Sequence, residues 1–323
     1  MKTSPDHALE TLGKTSLQKN SDRRGFLRNL GLGAAGVATL GAVGLAPTTA
    51  SADAQLDVDI LTFALNLEYL EAEFYLRAAY GHGLSATDAG ASPGAVTGGR
   101  QVQFSNPLNQ AYAIEIANEE RKHVQFLRAA LLALTGSVVS RPQIDFAASF
   151  PALAAAAGLG YGFDAFANDT NFLLAAYVFE DVGVTAYHGA APLITNPAIL
   201  DRAAGILAVE AYHAGIIRTV LFALGMQVET QAISTLRTKL DGTFGTMNVD
   251  DNGVGSTAHP SIAVLSNGRN GDTILGGFPT NNPPGNNAIA FDRSTRQVLN
   301  IVYGAVNASS GLFFPSGLNG NIH

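Results

Sequence analysis

Two Glu-x-x-His tetrapeptides set the tightest limit on what this chain can become. Glu120-Arg121-Lys122-His123 and Glu210-Ala211-Tyr212-His213 each sit inside a long stretch with helical apolar spacing. On a helix of about 3.6 residues per turn, positions i and i+3 share a face. A carboxylate oxygen and an imidazole nitrogen can therefore reach the same metal ion. One such tetrapeptide is common by chance. Here the surroundings repeat as well, with Ile116, Glu120, His123 and Arg128 matched in spacing by Ile206, Glu210, His213 and Arg218.

Two further helical stretches carry a second repeat. Glu68 is followed seven residues later by Tyr75, and Glu180 seven residues later by Tyr187. Seven residues is about two turns, so each pair lies on one face. Glu180 stands in an otherwise apolar run, where an unpaired inward carboxylate is costly unless it is paired or binds metal. Glu71 and Glu73 compete with Glu68, but only Glu68 keeps the offset to tyrosine that Glu180 shows.

The four stretches are expected at about Asp57–Tyr80, Pro107 to Gly136, Phe163–Ala191 and Pro197–Leu224. Gly81, Asn106-Pro107 and Pro192 punctuate them as caps and breaks. The chain therefore reads as all-α, a four-helix bundle over residues 53–226 with a long crossover between its second and third helices. Residues 227–323 read as an irregular Gly/Asn-rich extension with one short helix near 294–303, capped by Ser294. This extension is expected to pack on the bundle or on a second copy, which makes a homo-oligomer compatible with the sequence. The apolar patch Leu312-Phe313-Phe314-Pro315 is expected to dock.

The chain has 323 residues, no cysteine and a net charge of −7. Disulfides, cysteine-ligated metals and thiol nucleophiles are excluded. The acidic balance argues against nucleic acid as a partner. Residues 1–52 hold six basic residues and an uncharged run from Leu30 to Ala50. The segment Arg23-Arg24-Gly25-Phe26-Leu27 looks like a twin-arginine export signal, and Ala50-Ser51-Ala52 fits a cleavage triplet. The expectation is an exported protein, periplasmic or extracellular, without a membrane span in the mature chain, since no later run is long and apolar enough.

Glu, Glu-x-x-His, Glu, Glu-x-x-His on four successive helices is the pattern of ferritin-like carboxylate bundles, and the chain resembles that superfamily. The phrase Leu67-Glu68-Tyr69-Leu70-Glu71-Ala72-Glu73-Phe74-Tyr75 and the tail with Arg296-Gln297-Val298-Leu299 resemble, more narrowly, exported ferritin-like proteins related to desiccation-associated proteins. The resemblance implies six metal ligands: Glu68, Glu120, His123, Glu180, Glu210 and His213. In it, Glu120 and Glu210 bridge two Fe or Mn ions, and Glu68 and Glu180 are terminal. Tyr75 and Tyr187 would support buried carboxylates. Glu119 and Asp181 would orient ligands, while Arg128 and Arg218 read as surface or salt-bridge residues. The implied activity is an oxidoreductase acting on O2, peroxide or Fe2+, in stress or desiccation protection. Manganese-catalase-like peroxide dismutation stays open beside it, as does a non-enzymatic structural or binding role on the same scaffold.

Overall fold

Short polar signals decide where the helices begin and end. The computed structural model describes residues 52–243, 251–255 and 290–323. Helix α1 spans Ala52–Tyr80 and stops at Gly81, whose φ of 80° favours glycine. The short α2 (Ala86–Ala89) and β1 (Val96–Thr97) follow. Helix α3 spans Pro107–Thr135, with the Asn106 side chain accepting the Leu108 amide and Gly136 closing the helix. The crossover holds β2 (Ile144–Asp145) and α4 (Ser149–Ala156). Then come α5 (Asp169–Ala190), α6 (Pro197–Ala223), α7 (Gln227–Asp241) and α8 (Thr295–Tyr303).

Helices α1, α3, α5 and α6 form the four-helix bundle, with α1 packed mainly on α3 and α5 mainly on α6. The crossover between α3 and α5 is pinned by a parallel pairing of β1 with β2, Val96 opposite Ile144. Phe74 anchors the aromatic core. Its ring stacks on Phe172 at 5.5 Å and meets Phe179 edge-on at 5.4 Å. The docking expected of the tail patch is present: Phe313 lies 5.0 Å from Phe179 and 5.2 Å from Phe150. Asn319 and Asn66 exchange two hydrogen bonds, of 2.9 and 3.1 Å, which fasten the C-terminal segment to α1.

Two expectations need correction. The third helix starts at Asp169 rather than near Phe163. Asp164 accepts the Phe166 amide and Asn168 accepts the Asn171 amide, so residues 164–168 are held in turns by their own side chains. The extension is not irregular from residue 227, because α7 occupies its first turns. Ile233, Leu236 and Leu240 sit on one helical face and pack on the core, and Gly242 ends the helix with a φ of 86°. The capping box of α8 lies at Ser294 and Gln297, within the segment where a short helix was expected. The export segment, except Ala52, and most of the Gly/Asn-rich stretch lie outside the described residues.

A buried ionic network ties this extension to the bundle. Arg218 on α6 donates to Asp181 at 2.5 Å, and Arg237 on α7 donates to Asp181 and to both oxygens of Asp251, each at 2.7 Å. Arg293 completes it, reaching Asp251 at 2.7 Å and Asp241 at 3.0 Å. Burial works against the ionised Asp251, but Arg237 and Arg293 outweigh it and hold its carboxyl down at about 2. Arg218 is thus a salt-bridge residue, but a buried one, and Asp181 serves this network instead of orienting a metal ligand. Breaking one member would leave a buried charge unpaired, at about 3–5 kcal/mol. Among the described residues, α6 alone is long and apolar enough to cross a membrane by length and composition. Here its inward face, with Glu210 and His213, is buried.

Candidate metal centre

The bundle brings seven side chains that could hold metal into its interior. Glu68 and Glu71 come from α1, Glu120 and His123 from α3, Glu180 from α5, and Glu210 and His213 from α6; all are buried. They form three overlapping nests, in each of which the ligand atoms lie within 4.8 Å of one another. Glu68, Glu120, His123 and Glu210 make the first. Glu120, Glu180 and His213 make the second. Glu71, Glu180 and Glu210 make the third, of carboxylates alone.

Glu120 spans the first two nests. Its Oε2 lies 3.4 Å from His123 Nδ1 and its Oε1 lies 3.0 Å from His213 Nδ1. His123 Nδ1 is also 3.2 Å from Glu68 Oε2 and 3.6 Å from Glu210 Oε1. His213 Nδ1 is 3.5 Å from Glu180 Oε2. The two imidazole centroids are 6.3 Å apart. All six residues expected as ligands therefore meet in one place.

His123 Nδ1 and Glu68 Oε2 share a hydrogen bond of 3.2 Å, but most of the remaining atoms are close without bonding to one another. Both oxygens of Glu120, both of Glu210, Glu71 Oε2, Glu180 Oε2 and His213 Nδ1 are buried and have no hydrogen-bond partner among the described residues. Buried polar groups are nearly always satisfied, and orphaning seven atoms in one small volume would be costly. Cations placed among them would satisfy the whole set. Oxygen-rich ligation with one imidazole in each of two nests suits first-row metals such as Fe or Mn.

The electrostatics are strained in the same sense. Burial pushes the Glu68 carboxyl up to about 7, against the pull of His123. Burial, reinforced by neighbouring carboxylates, raises Glu71 and Glu210 well above the usual range, and burial also raises Glu180. Glu120 goes the other way: burial opposes its ionisation, but His123 and His213 outweigh it. His123 rises to about 12 because Glu68 and Glu120 overcome its burial, and His213 rises likewise beside Glu180 and Glu120. Like charges crowded in a dry interior are what a bound cation relieves.

The surroundings hold the ligands in place. Tyr75 on α1 donates to Glu180 Oε1, and Tyr187 on α5 donates to Glu68 Oε1. Burial raises both phenols well above their ordinary value, so they stay protonated donors. Glu119 Oε2 lies 2.8 Å from His213 Nε2, the ring nitrogen turned away from the centre. Its side chain is one-third exposed, so it links a buried histidine to solvent. Val209 stands in the matching place on α6, and His123 has no such carboxylate partner of its own from there.

Sequence reasoning set Glu71 aside as a rival of Glu68. The structure places both in the cluster, one turn apart on α1. Glu73 is buried but satisfied elsewhere, by Arg77 at 3.0 Å, by Arg141 and by the Leu84 amide at 3.2 Å. Arg128 is engaged by Tyr69, outside the centre. His82 and His323 are exposed and His188 is half-buried, all apart from the cluster, and His259 lies outside the described residues.

A family model described as a ferritin-like domain matches residues 56–223. A desiccation-related protein of Craterostigma plantagineum is 31% identical over 280 residues, covering 82% of this chain and 83% of that protein. A ferritin-like catalase of Nesocodon mauritianus is 29% identical over 284 residues, covering 83% and 85%. No solved structure matches the chain.

Proposed function

The chain belongs to the ferritin-like domain family and is related to desiccation-related proteins, and from that premise we propose that it binds two Fe or Mn ions and dismutates hydrogen peroxide. The observation that carries this reading is Glu120, a buried carboxylate with one unbonded oxygen toward each of two histidine-containing nests. The name of the Nesocodon mauritianus relative, a catalase, supports peroxide as the substrate.

In dismutation one peroxide loses two electrons and two protons and leaves as O2. The other accepts them, its O–O bond breaks, and two waters form. Bound metals would supply the electron storage between the two half-reactions. The chain supplies position and protons. Ionised around bound metal, Glu68, Glu120, Glu180 and Glu210 would carry four negative charges, enough to balance two divalent cations. Glu71 is the fifth carboxyl, and burial favours its neutral form, so its Oε2 can hold a proton beside the site. His213 Nε2 and the part-exposed Glu119 provide the route by which protons reach solvent. Tyr75 and Tyr187 fix Glu180 and Glu68 through hydrogen bonds and keep those carboxylates from turning out of the site.

The all-carboxylate nest of Glu71, Glu180 and Glu210 favours a second reading, oxidation of Fe2+ as substrate. The paired arginines at 23–24 support twin-arginine export, after folding, to a place outside the cytoplasmic membrane.

Oxygen evolution from peroxide, measured on an electrode beside metal analysis of the same sample, tests the proposal. O2 release in proportion to bound metal, lost in Glu120→Ala, is the expected result. A protein that carries two metals per chain and evolves no O2 overturns it. Rapid Fe2+ oxidation by that same sample would establish the second reading instead.

A further inference from the structure

Helix α5 carries a glycine in its middle, where glycine weakens a helix. A Cβ at Gly183 would collide with Glu210 Oε2. The glycine therefore leaves the wall of the metal cluster thin at this point. On its other side is a cavity of about 20 Å3, bounded by Leu67, Leu70, Glu71, Phe179, Gly183 and Phe313. Every one of these residues is buried, and among the described residues Glu71 is the one charged side chain on the cavity wall. Its Oε2 has no hydrogen-bond partner.

A second cavity, of about 30 Å3, lies between the crossover, α5, α7 and α8. Its deep wall is formed by buried Phe150, Leu174 and Ile233, and its rim by half-buried Leu159, Phe163 and Leu236. The charged residue on its wall, Arg237, is committed to Asp181 and Asp251. Val178 and Ile301 line both cavities.

We propose that the two cavities are one apolar passage for dioxygen, leading from Glu71 and Gly183 at the metal centre, past Val178 and Ile301, to the rim at Leu159, Phe163 and Leu236. The wall chemistry selects the occupant. Water and peroxide need several polar partners in an enclosed space, and these walls offer almost none. Dioxygen has no hydrogen bonds to lose. Each cavity has room for one molecule of that size, and too little for a hydrocarbon chain. The extension builds the outer half of the passage through α7 and α8, which gives that part of the chain a role in the site's traffic.

The passage deepens the peroxide reading and rests on it for the identity of the gas, but its existence can be tested apart from turnover. Crystals of the full chain, as purified, are pressurised with xenon, an apolar probe of similar size. Xenon is expected in both cavities of the wild type. Val178→Phe or Ile301→Phe, either of which narrows the shared wall, is expected to remove it from the inner one. In peroxide turnover the same variants should lower kcat and KM together, several-fold, with kcat/KM held, because release of O2 follows capture of peroxide. Absence of xenon from the inner cavity of the wild type overturns the passage. So does a plugged variant whose kcat/KM falls at unchanged KM, which would place the effect at the metals. A metal-loaded protein that evolves no O2 defeats the peroxide reading, while the xenon sites report on the passage alone.

Discussion

Tyr187 on α5 donates a hydrogen bond from its phenol to Glu68 on α1, and the arrangement is reciprocated, since Tyr75 on α1 donates to Glu180 on α5. Each of these two helices supplies a carboxylate and also the donor that steadies the other's carboxylate. The seven-residue offset seen twice in the sequence is the trace of this exchange. Tyr187→Phe and Tyr75→Phe should each weaken metal binding by about 10–100-fold, the usual cost of losing a hydrogen bond behind a ligand. Competition titration with a chelator measures this, with circular dichroism to show that the bundle is intact. Unchanged affinity in both variants would mean that the tyrosines only fill space.

Glu119→Gln should separate charge from geometry at His213. The amide oxygen can still accept from Nε2, but the charge that favours a proton on the imidazole is gone. Metal affinity should fall by about 10-fold, and the pH dependence of kcat/KM should move. Glu119→Ala should cost more than Glu119→Gln. Equal behaviour of the two variants with an unmoved pH profile would remove Glu119 from the proton route.

Gly183→Ala sets helix propensity against the site. Alanine in a helix interior gains about 1 kcal/mol over glycine, yet its Cβ must displace Glu210 Oε2. The variant should melt no earlier than wild type when metal-free, and should bind metal at least about 10-fold more weakly. Scanning calorimetry and metal titration check the two halves separately.

The metal-free protein should lose stability as pH rises from about 5 to 8. Glu68, held up to about 7 by burial, keeps its proton in the folded state where the unfolded chain has lost it, as do the raised Glu71, Glu180 and Glu210. His123, raised to about 12, and His213 also keep protons that the unfolded chain releases above its ordinary histidine range. In this window the folded state binds more protons than the unfolded one, so the slope of stability against pH is negative. Glu120, lowered, contributes the opposite slope only in acid, below the ordinary carboxylate value. Bound metal replaces those protons, so the loaded protein should show a flatter profile. Thermal melts at several pH values, with and without metal, check the sign.

The bundle was legible because its signals are local. Asn106-Pro107, Asn196-Pro197 and the flanking glycines mark helix ends through contacts within a few residues. The paired Glu-x-x-His motifs were legible because i and i+3 must share a face. What escaped depended on partners far along the chain. Glu68, Glu71 and Glu73 look alike in sequence, and only Arg77 and Arg141 show that Glu73 is already paired. Asp181 looked like a ligand's neighbour, but Arg218 and Arg237 claim it from two other helices. Helix α7 escaped because its polar residues include Arg237, which the fold buries against Asp251 and Asp181. The match of Tyr75 to Glu180, by contrast, was foreshadowed by a repeat although its partners are 105 residues apart.

In the proposed function Glu120 would join two metal ions inside the bundle. Anomalous diffraction from crystals grown with Mn or Fe, together with elemental analysis of the same preparation, tests it most directly. Two metal atoms per chain are expected, one beside His123 and one beside His213, both contacting Glu120, with loss of both in Glu120→Ala. A folded protein with no metal in the bundle, or with metal bound equally well by Glu120→Ala, would contradict it.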